Sequence, residues 1–149
     1  MNKAETDDYS IDVSLDDKGD GEFIVFDKEK QKIREKTPYK HNKKNGISVT
    51  YFYDKEKNGR IETPFVDDKI QGVVLHYIND MLFREESFVD NKRNGITKDY
   101  KIINKKQVLW IETSYKNGLK NGLSIEYDDD GKTIKKKTIW LNGKETNKD

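Results

Sequence analysis

The stretch YKNGLKNGLSIEY, residues 115–127, predicts the fold of the whole chain. Its glycine, Gly122, stands seven residues after the aromatic Tyr115 and five residues before Tyr127. The residues after Gly122 alternate between apolar and polar, which is the pattern of a half-buried β-strand. The Asn-Gly pair in front of them is typical of a tight turn. We therefore predict a turn that leads into a strand.

The same arrangement recurs along the chain as an internal repeat. Four units each have a glycine preceded by Asn or Gln, a tyrosine five residues later, and another aromatic residue seven residues earlier. The glycines are Gly46, Gly72, Gly95 and Gly122, the tyrosines are Tyr51, Tyr77, Tyr100 and Tyr127, and the earlier aromatics are Tyr39, Phe65, Phe88 and Tyr115. Agreement at these positions in four units indicates an array of structural repeats.

Two weaker units flank these four. Gly21, followed by Phe26, marks the first, and Trp140 marks a truncated last one. We predict one repeat domain over residues 21–143, with units near 21–37, 38–63, 64–87, 88–113 and 114–138 and a partial unit at 139–143. Residues 1–20 are predicted as an acidic lead-in, in which residues 9–15 alternate like a short strand. Residues 144–149 are predicted as a flexible tail.

Each unit predicts a β-hairpin, because both of its halves alternate with a period of two. Val73, Leu75 and Tyr77 share one side of their strand, and we expect that side to form the core together with the earlier aromatics such as Phe65. Turn residues separate the two halves, as at residues 54–59. No stretch has a helical period with caps. The predicted fold is all-β, a single domain in which successive antiparallel hairpins form one elongated, twisted sheet.

The composition fits a one-sided sheet and excludes several classes of protein. Of 149 residues, 38% are charged and 32% hydrophobic, with a formal net charge of +1 and no cysteine. The lack of cysteine excludes disulfides and thiolate metal sites. No apolar run is long enough to span a membrane, and the balanced charge argues against binding to nucleic acid. Since the first ten residues contain no apolar stretch, we expect no secretory signal and a cytoplasmic location.

The sequence predicts neither catalysis nor a metal or cofactor site. The two histidines, His41 and His76, fall in different parts of a unit, and a catalytic histidine needs a positioned partner. The glycines lie at repeat spacing and form no phosphate-binding loop. We therefore predict a protein that is not an enzyme and binds no cofactor.

Carboxylates form the best candidate for a binding surface. Glu62, Glu85 and Glu112 each stand three residues before the aromatic of their unit. By alternation we expect them to point away from the aromatic side of the sheet, together with three side chains of the partner strands, His76, Asp99 and Glu126. Equivalent strands lie about 10 Å apart, which is too far for a shared metal ion. Two interpretations remain, a solvated polar face or an acidic row for a basic protein partner.

Residues 39–46, YKHNKKNG, and residues 115–122, YKNGLKNG, resemble the MORN-variant repeat of bacterial proteins of the YwqK type. The resemblance covers about residues 21–143 and implies a meander of hairpins with a binding role and no catalytic residues. Two units depart from the repeat, because they have Asp-Asp and Asp-Asn in the turn where the pattern has Asn-Gly. Asp and Asn tolerate positive φ better than most residues.

The resemblance also implies a function, that of an immunity or antitoxin protein which binds a cognate bacterial toxin and occludes its active site. The alternative is a MORN-type structural scaffold or a membrane-associated repeat protein. The absence of a basic patch predicts no binding to anionic membranes. We therefore expect a protein partner, no nucleic acid and no membrane, and either a monomer or a weak dimer paired along the sheet edge.

Overall fold

The computed structural model describes residues 2–6, 8–55 and 57–146. Over these ranges the chain is all-β, as predicted, and forms one open antiparallel sheet. Its strands are β1 (Asn2–Glu5), β2 (Tyr9–Leu15), β3 (Gly21–Asp27), β4 (Lys32–Lys40), β5 (Lys43–Lys44), β6 (Gly46–Tyr53), β7 (Asn58–Val66), β8 (Lys69–Ile70), β9 (Gly72–Ile78), β10 (Met81–Val89), β11 (Lys92–Arg93), β12 (Gly95–Ile103), β13 (Lys106–Lys116), β14 (Leu119–Tyr127), β15 (Ile134–Leu141) and β16 (Lys144–Glu145).

The strands follow one another across the sheet in chain order, from β1 at one edge to β16 at the other. Only the two-residue strands β5, β8 and β11 lie off this path, and each pairs back onto the strand before it. Successive strands are therefore neighbours in space, and the sheet is a meander of hairpins.

The sheet extends beyond the limits that we predicted for the repeat domain. Strands β1 and β2 lie within the predicted acidic lead-in, and β2 pairs along its whole length with β3. At the other end, β16 takes Lys144–Glu145 from the predicted tail. Residues 147–149 of that tail lie outside the described residues.

A tight turn follows the aromatic residue of each unit, and both central residues of this turn have positive φ. Asn117 and Gly118 have φ of 51° and 88°, as expected for an Asn-Gly hairpin turn. Three units lack this glycine and keep the geometry: Asp67 and Asp68 have φ of 47° and 68°, and residues 41–42 and 90–91 behave likewise. Aspartate and asparagine therefore preserve the turn.

These turn residues also join neighbouring units. The backbone N–H of Lys44 donates to Oδ1 of Asp68 at 2.8 Å, and the N–H of Ile70 donates to Oδ1 of Asn91 at 2.7 Å. Each bond connects the turn of one unit to the turn of the next. Short polar side chains thus satisfy backbone groups that would otherwise lack a partner along this side of the sheet.

The repeat glycines stand where two strands approach closely. Gly95 has φ of 111°, and a Cβ there would lie 3.0 Å from Cβ of Ser87 on the neighbouring strand. Each of these glycines also pairs with an aromatic residue of the adjacent strand. The pairs are Gly46 with Phe65, Gly72 with Phe88, Gly95 with Tyr115 and Gly122 with Trp140. An aromatic ring beside a glycine can cover the exposed backbone, so the glycine–aromatic spacing of the repeat reflects cross-strand pairing.

The two faces of the sheet differ from our prediction. The repeat tyrosines share one side, the tyrosine face, with residues such as Glu62, whereas the aromatics such as Phe65 lie on the opposite side. That opposite side, the hydroxyl face, has a row of small polar side chains, and several of its members are buried: Thr37, Ser48, Thr97, Thr113 and Thr138. The predicted core of tyrosines and earlier aromatics on one side is therefore wrong.

The buried interior is correspondingly thin. Among the described residues, Val74 is the one buried hydrophobic side chain, and it lies in the same row as the hydroxyl groups. Thr37 Oγ1 and Ser48 Oγ lie 2.6 Å apart, and Thr113 Oγ1 and Ser124 Oγ lie 2.9 Å apart. At these two pairs, hydrogen bonds between hydroxyl groups thus take the place of apolar packing.

The repeat units form five hairpins, β3–β4, β6–β7, β9–β10, β12–β13 and β14–β15, and four of them have one extra residue in their second strand, which forms a β-bulge. The extra residues are Arg34, Phe83, Trp110 and Lys135. The hairpin of β6 and β7 has no bulge, and its pairing continues to Gly59 opposite Phe52 and Asn58 opposite Tyr53. Residues 58–59, which we predicted as part of a turn, therefore belong to β7.

Candidate functional site

The six side chains that we predicted to form one polar face lie on both faces of the sheet. Glu62 pairs with Val49 and lies on the tyrosine face, as do Glu85 and Glu112. His76, Asp99 and Glu126 lie on the hydroxyl face. The prediction of a single outward face is wrong because the earlier aromatics, from which we counted, point to the side opposite the tyrosines.

The three glutamates of the tyrosine face are bound to neighbouring side chains. The hydroxyl of Tyr100 donates to Oε1 of Glu85 at 2.6 Å, and the hydroxyl of Tyr127 donates to Oε2 of Glu112 at 2.7 Å. In each case the glutamate belongs to one unit and the tyrosine to the next. The glutamates therefore hold the repeat tyrosines in place, and they are half-buried rather than freely solvated.

Glu62 has an arginine partner instead. Nε of Arg60 donates to Oε1 of Glu62 at 2.8 Å, and the guanidinium lies 3.8 Å from the ring centre of Tyr77. The cation–π contact and the ion pair together order the side chain of Arg60. Hydrogen bonding to Glu62 is the main reason why the pKa of Arg60 is raised.

These contacts raise the pKa values of the tyrosine hydroxyls. Burial, followed by the hydrogen bond to Glu85, raises the pKa of Tyr100 well above its ordinary value of 10.0. For Tyr127, the hydrogen bond to Glu112 is the main cause of a raised pKa. Both phenols are thus held in the neutral form that donates to a carboxylate.

We expect the protein to lose stability as the pH rises above 10. A group whose pKa is raised by folding stabilises the protein below its unfolded pKa, and this contribution disappears as the pH rises through the folded pKa. Chemical denaturation at a series of alkaline pH values measures the effect. The Tyr100→Phe variant should lose about 1 kcal/mol at neutral pH and should show a smaller alkaline decline. An identical decline in this variant would contradict the assignment to Tyr100.

A row of exposed aliphatic side chains crosses the tyrosine face. Four of these residues directly follow the repeat glycines, and the fifth, Ile139, follows Thr138. Their exposed fractions are 39–52%: Ile47, Val73, Ile96, Leu123 and Ile139. We call them the aliphatic row. The intervening strands contribute Pro64, Ser87 and Ser114 opposite Ile47, Val73 and Ile96. With strands about 4.8 Å apart, the row is about 33 Å long.

On the hydroxyl face, the three predicted side chains also have partners. Nε of Arg84 lies 2.8 Å from Oδ1 of Asp99, and Nζ of Lys135 lies 2.8 Å from Oε1 of Glu126. The hydrogen bond to Lys135 is the main cause of a lowered pKa at Glu126. Ion pairing therefore neutralises much of the acidity that we expected this surface to present.

The third residue, His76, contacts a buried carboxylate that the sequence analysis missed. His76 Nε2 lies 2.8 Å from Oε2 of Glu86, whose residue exposure is only 5%. Nη2 of Arg93 lies 2.6 Å from the other oxygen, in an ionic contact rather than an aligned hydrogen bond. The hydrogen bond from His76 outweighs burial, so the pKa of Glu86 is lowered. The carboxylate is therefore ionised near neutral pH.

The sequence does carry a signal for Glu86. Two residues before the repeat aromatic, the other units have a threonine, and Glu86 is the exception: Thr37, Thr63, Thr113 and Thr138. A charged group in a buried row of hydroxyls departs from the pattern of the repeat, and such departures concentrate at functional or strained positions. Alignment of the units on their aromatics would have found it.

Comparisons with known proteins leave the family open. No protein-family model matches the chain, and no curated protein is significantly similar to it. Within the described residues, no group of three or more His, Asp or Glu side chains could hold a metal ion. The same part of the chain contains no helix that is long and apolar enough to cross a membrane.

Proposed function

We propose that this protein is a non-catalytic binding module of the immunity or antitoxin type, which neutralises a bacterial toxin by covering its active site. The resemblance of residues 39–46 and 115–122 to the MORN-variant repeat suggests the toxin partner. The aliphatic row is the observation that carries the protein-binding part of the proposal. Its exposed apolar side chains recur mostly on every second strand across one face, and a surface that exposes many apolar side chains in line suits contact with a protein partner.

The surroundings of the aliphatic row support the same assignment. Beside the row, the next side chains on the tyrosine face are a mixture of charged and apolar groups: Val49, Glu62, Leu75, Glu85, Lys98, Glu112 and Ile125. An apolar strip bordered by fixed charges resembles the core and rim of a protein interface. The apolar strip supplies affinity, while the ion-paired side chains select the partner by charge complementarity.

The direct test uses the product of the gene that neighbours the gene of this protein. We expect cells that produce this neighbouring protein to stop growing and to recover when the repeat protein is produced with it. Calorimetry with the two purified proteins should give a stable complex. If the neighbouring protein is toxic but the repeat protein neither restores growth nor binds it, the immunity proposal is contradicted.

Substitution of the aliphatic row should weaken the complex. For the double variant Val73→Asp/Ile96→Asp we expect at least tenfold weaker binding in calorimetry. Two apolar contacts would be replaced by carboxylates, and the burial of an unpaired carboxylate against a partner has an unfavourable desolvation free energy. Both side chains are nearly half-exposed, so thermal stability should change little. This choice avoids the three glutamates, whose reversal would also break the bonds to the repeat tyrosines.

A matched control is the double variant Ile102→Asp/Ile134→Asp. These two side chains are exposed to a similar degree but lie outside the aliphatic row, towards the other end of the strands. We expect them to leave the binding constant within about twofold of the original. Equal losses in both double variants would show that the aliphatic row is not the contact surface.

A further inference from the structure

The tyrosine face has further exposed apolar side chains beside the aliphatic row. Val66 lies two residues beyond the proline that pairs with Ile47, so alternation places it on the same face. Val89 lies likewise two residues beyond the serine that pairs with Val73. Together with part of the aliphatic row they form a group that is 41–52% exposed, which we call the apolar band: Ile47, Val66, Val73, Val89 and Ile96. The band crosses five neighbouring strands, from β6 to β12.

The members of the apolar band lie at two levels along the strands. Ile47, Val73 and Ile96 form one line, and Val66 and Val89 form a second line about 7 Å nearer the tight turns. Successive members stand on neighbouring strands, so they are about 4.8 Å apart across the sheet, and members of one line are about 9.6 Å apart. The band is therefore a staggered double row about 19 Å long.

This spacing matches the apolar stripe of an α-helix. A helix rises about 1.5 Å per residue, so apolar residues at alternating steps of three and four advance about 5.3 Å per step and about 10.5 Å per heptad. An extended segment laid along the band would place the side chains of one side about 6.8 Å apart, which fits neither spacing of the band. The band therefore suits a helix of about four turns that lies across the strands.

Lysines border the apolar band on the side of the tight turns. Lys69 pairs with Val66, and Lys92 pairs with Val89, directly at the ends of these turns. Paired residues share a face, so both lysines lie on the tyrosine face. Lys43 occupies the equivalent position one unit earlier. All three lysines are exposed, and we call them the lysine border.

The tight turns beside the band are basic as a whole. Their three segments contain six Lys or Arg and three Asp: residues 40–44, 66–69 and 89–93. One of the aspartates, Asp90, lies 3.1 Å from Nζ of Lys69. Lys43 and Lys92 form no ion pair in the part of the chain that the structure describes. The lysine border thus presents uncompensated positive charge, which favours a partner with acidic groups on this flank.

We propose that the apolar band and the lysine border together bind an amphipathic α-helix of the protein partner, with its apolar stripe on the band and acidic side chains against the lysines. The proposal rests on the proposed function, because it names the part of the partner that covers the aliphatic row. Recognition of a helix through apolar anchors three, four and seven residues apart recurs among protein complexes.

The repeat also limits where such a helix lies. In the next unit, Lys116 takes the position that Val66 and Val89 have in theirs, two residues beyond the serine that pairs with Ile96. The double row therefore ends at Ile96, although the aliphatic row continues. We expect the helix to cover the strands from β6 to β12.

Model peptides test this surface without any partner. The probe is a helical peptide of about 18 residues with leucine at heptad positions a and d, glutamate at e and g, and alanine elsewhere. We expect it to shift the NMR methyl signals of the apolar band in a saturable manner. One control peptide has lysine in place of glutamate, and another has proline in place of two central alanines, which breaks the helix.

Both control peptides should bind at least tenfold more weakly than the acidic helix. Absence of saturable shifts with the acidic helix would overturn the proposal. Equal binding of the proline peptide would show that the band does not select a helix, and equal binding of the lysine peptide would show that the lysine border does not select acidic groups. Either result would also overturn it.

Charge reversal of the lysine border tests its part directly. Lys43→Glu/Lys92→Glu should weaken binding of the acidic peptide at least tenfold and should make the lysine peptide the better ligand. The matched control, Lys105→Glu/Lys106→Glu, changes two exposed lysines at the opposite end of the strands and should leave the affinity within about twofold. Equal weakening in both double variants would show that net charge alone matters and would contradict the lysine border.

The neighbouring gene product then separates the two proposals. If the acidic helix binds the band but the neighbouring gene product does not bind the protein, the immunity function fails and the helix-binding surface stands. We expect Val66→Asp/Val89→Asp and Lys43→Glu/Lys92→Glu each to weaken binding of this partner at least tenfold. If the partner binds and either double variant leaves its affinity unchanged, the helix proposal fails and the function stands.

Discussion

Replacement of Glu86 by alanine should lower the free energy of unfolding by about 3 kcal/mol, because removal of one partner of a buried ion pair leaves the other charges uncompensated. Glu86 is only 5% exposed and lies 2.8 Å from His76 and 2.6 Å from Arg93. Chemical denaturation followed by circular dichroism measures the loss.

Two further variants separate burial from charge. Glu86→Thr restores the residue that the other units have. It should lower the free energy of unfolding by only about half as much as Glu86→Ala, because the threonine hydroxyl can form hydrogen bonds within the row of hydroxyls. Glu22→Ala removes a half-exposed carboxylate that pairs with Lys36 at 2.9 Å, and it should change the free energy of unfolding by less than about 0.5 kcal/mol. A cost for Glu86→Ala no larger than that of Glu22→Ala would show that the buried pair is not a stabilising element.

The same carboxylate predicts a dependence on acidic pH. Folding lowers the pKa of Glu86, mainly through the hydrogen bond from His76. Its contribution is therefore present above the ordinary glutamate pKa of 4.5 and is lost as the pH falls below that value. In Glu86→Ala, stability should decline less steeply between neutral and acidic pH than in the original protein.

Replacement of Gly95 by alanine should also cost about 3 kcal/mol. Two effects add: φ of 111° is strained for any residue with a side chain, and the new Cβ would lie 3.0 Å from Cβ of Ser87. Because each hairpin depends on its neighbours for burial, the variant should weaken the sheet on both sides of β12. Thermal unfolding provides the measurement.

Gly118→Ala is the matched control for the close approach. Gly118 also has positive φ, 88°, but no atom lies within 4 Å of the position that its Cβ would take. We expect a cost of about 1 kcal/mol from the backbone alone. In a Ser87→Gly background, the cost of Gly95→Ala should fall to a similar value, and a double-mutant cycle would then show the coupling. If Gly95→Ala and Gly118→Ala cost the same, contact with Ser87 has no energetic role.

Local patterns were sufficient to predict the fold class because both turn chemistry and strand alternation act over a few residues. The Asn-Gly and Asp-Asp pairs specify tight turns wherever they stand, and the period of two specifies strands. Spacing between repeat aromatics and glycines then indicates that successive hairpins are alike. These features predicted the all-β meander but left open which side chains face each other.

The candidate site was only partly predictable, since a residue's face depends on strand register. We expected Glu62 and His76 to lie on one side, and pairing places them on opposite sides. The register pairs each repeat glycine with the aromatic of the adjacent strand, which places this aromatic on the face opposite the repeat tyrosine, and no local residue pattern marked that pairing. The absence of a bulge in β7 is likewise a property of the pairing.

The sequence by itself thus determined that this chain repeats, that each unit is a hairpin, and that its turns tolerate positive φ, because these depend on residues close together in the chain. Only the tertiary structure decided which face is buried, which carboxylates bind tyrosines, and where Glu86 meets His76 and Arg93. Those contacts join strands through cross-strand register, and register is fixed by the cooperative pairing of the whole sheet.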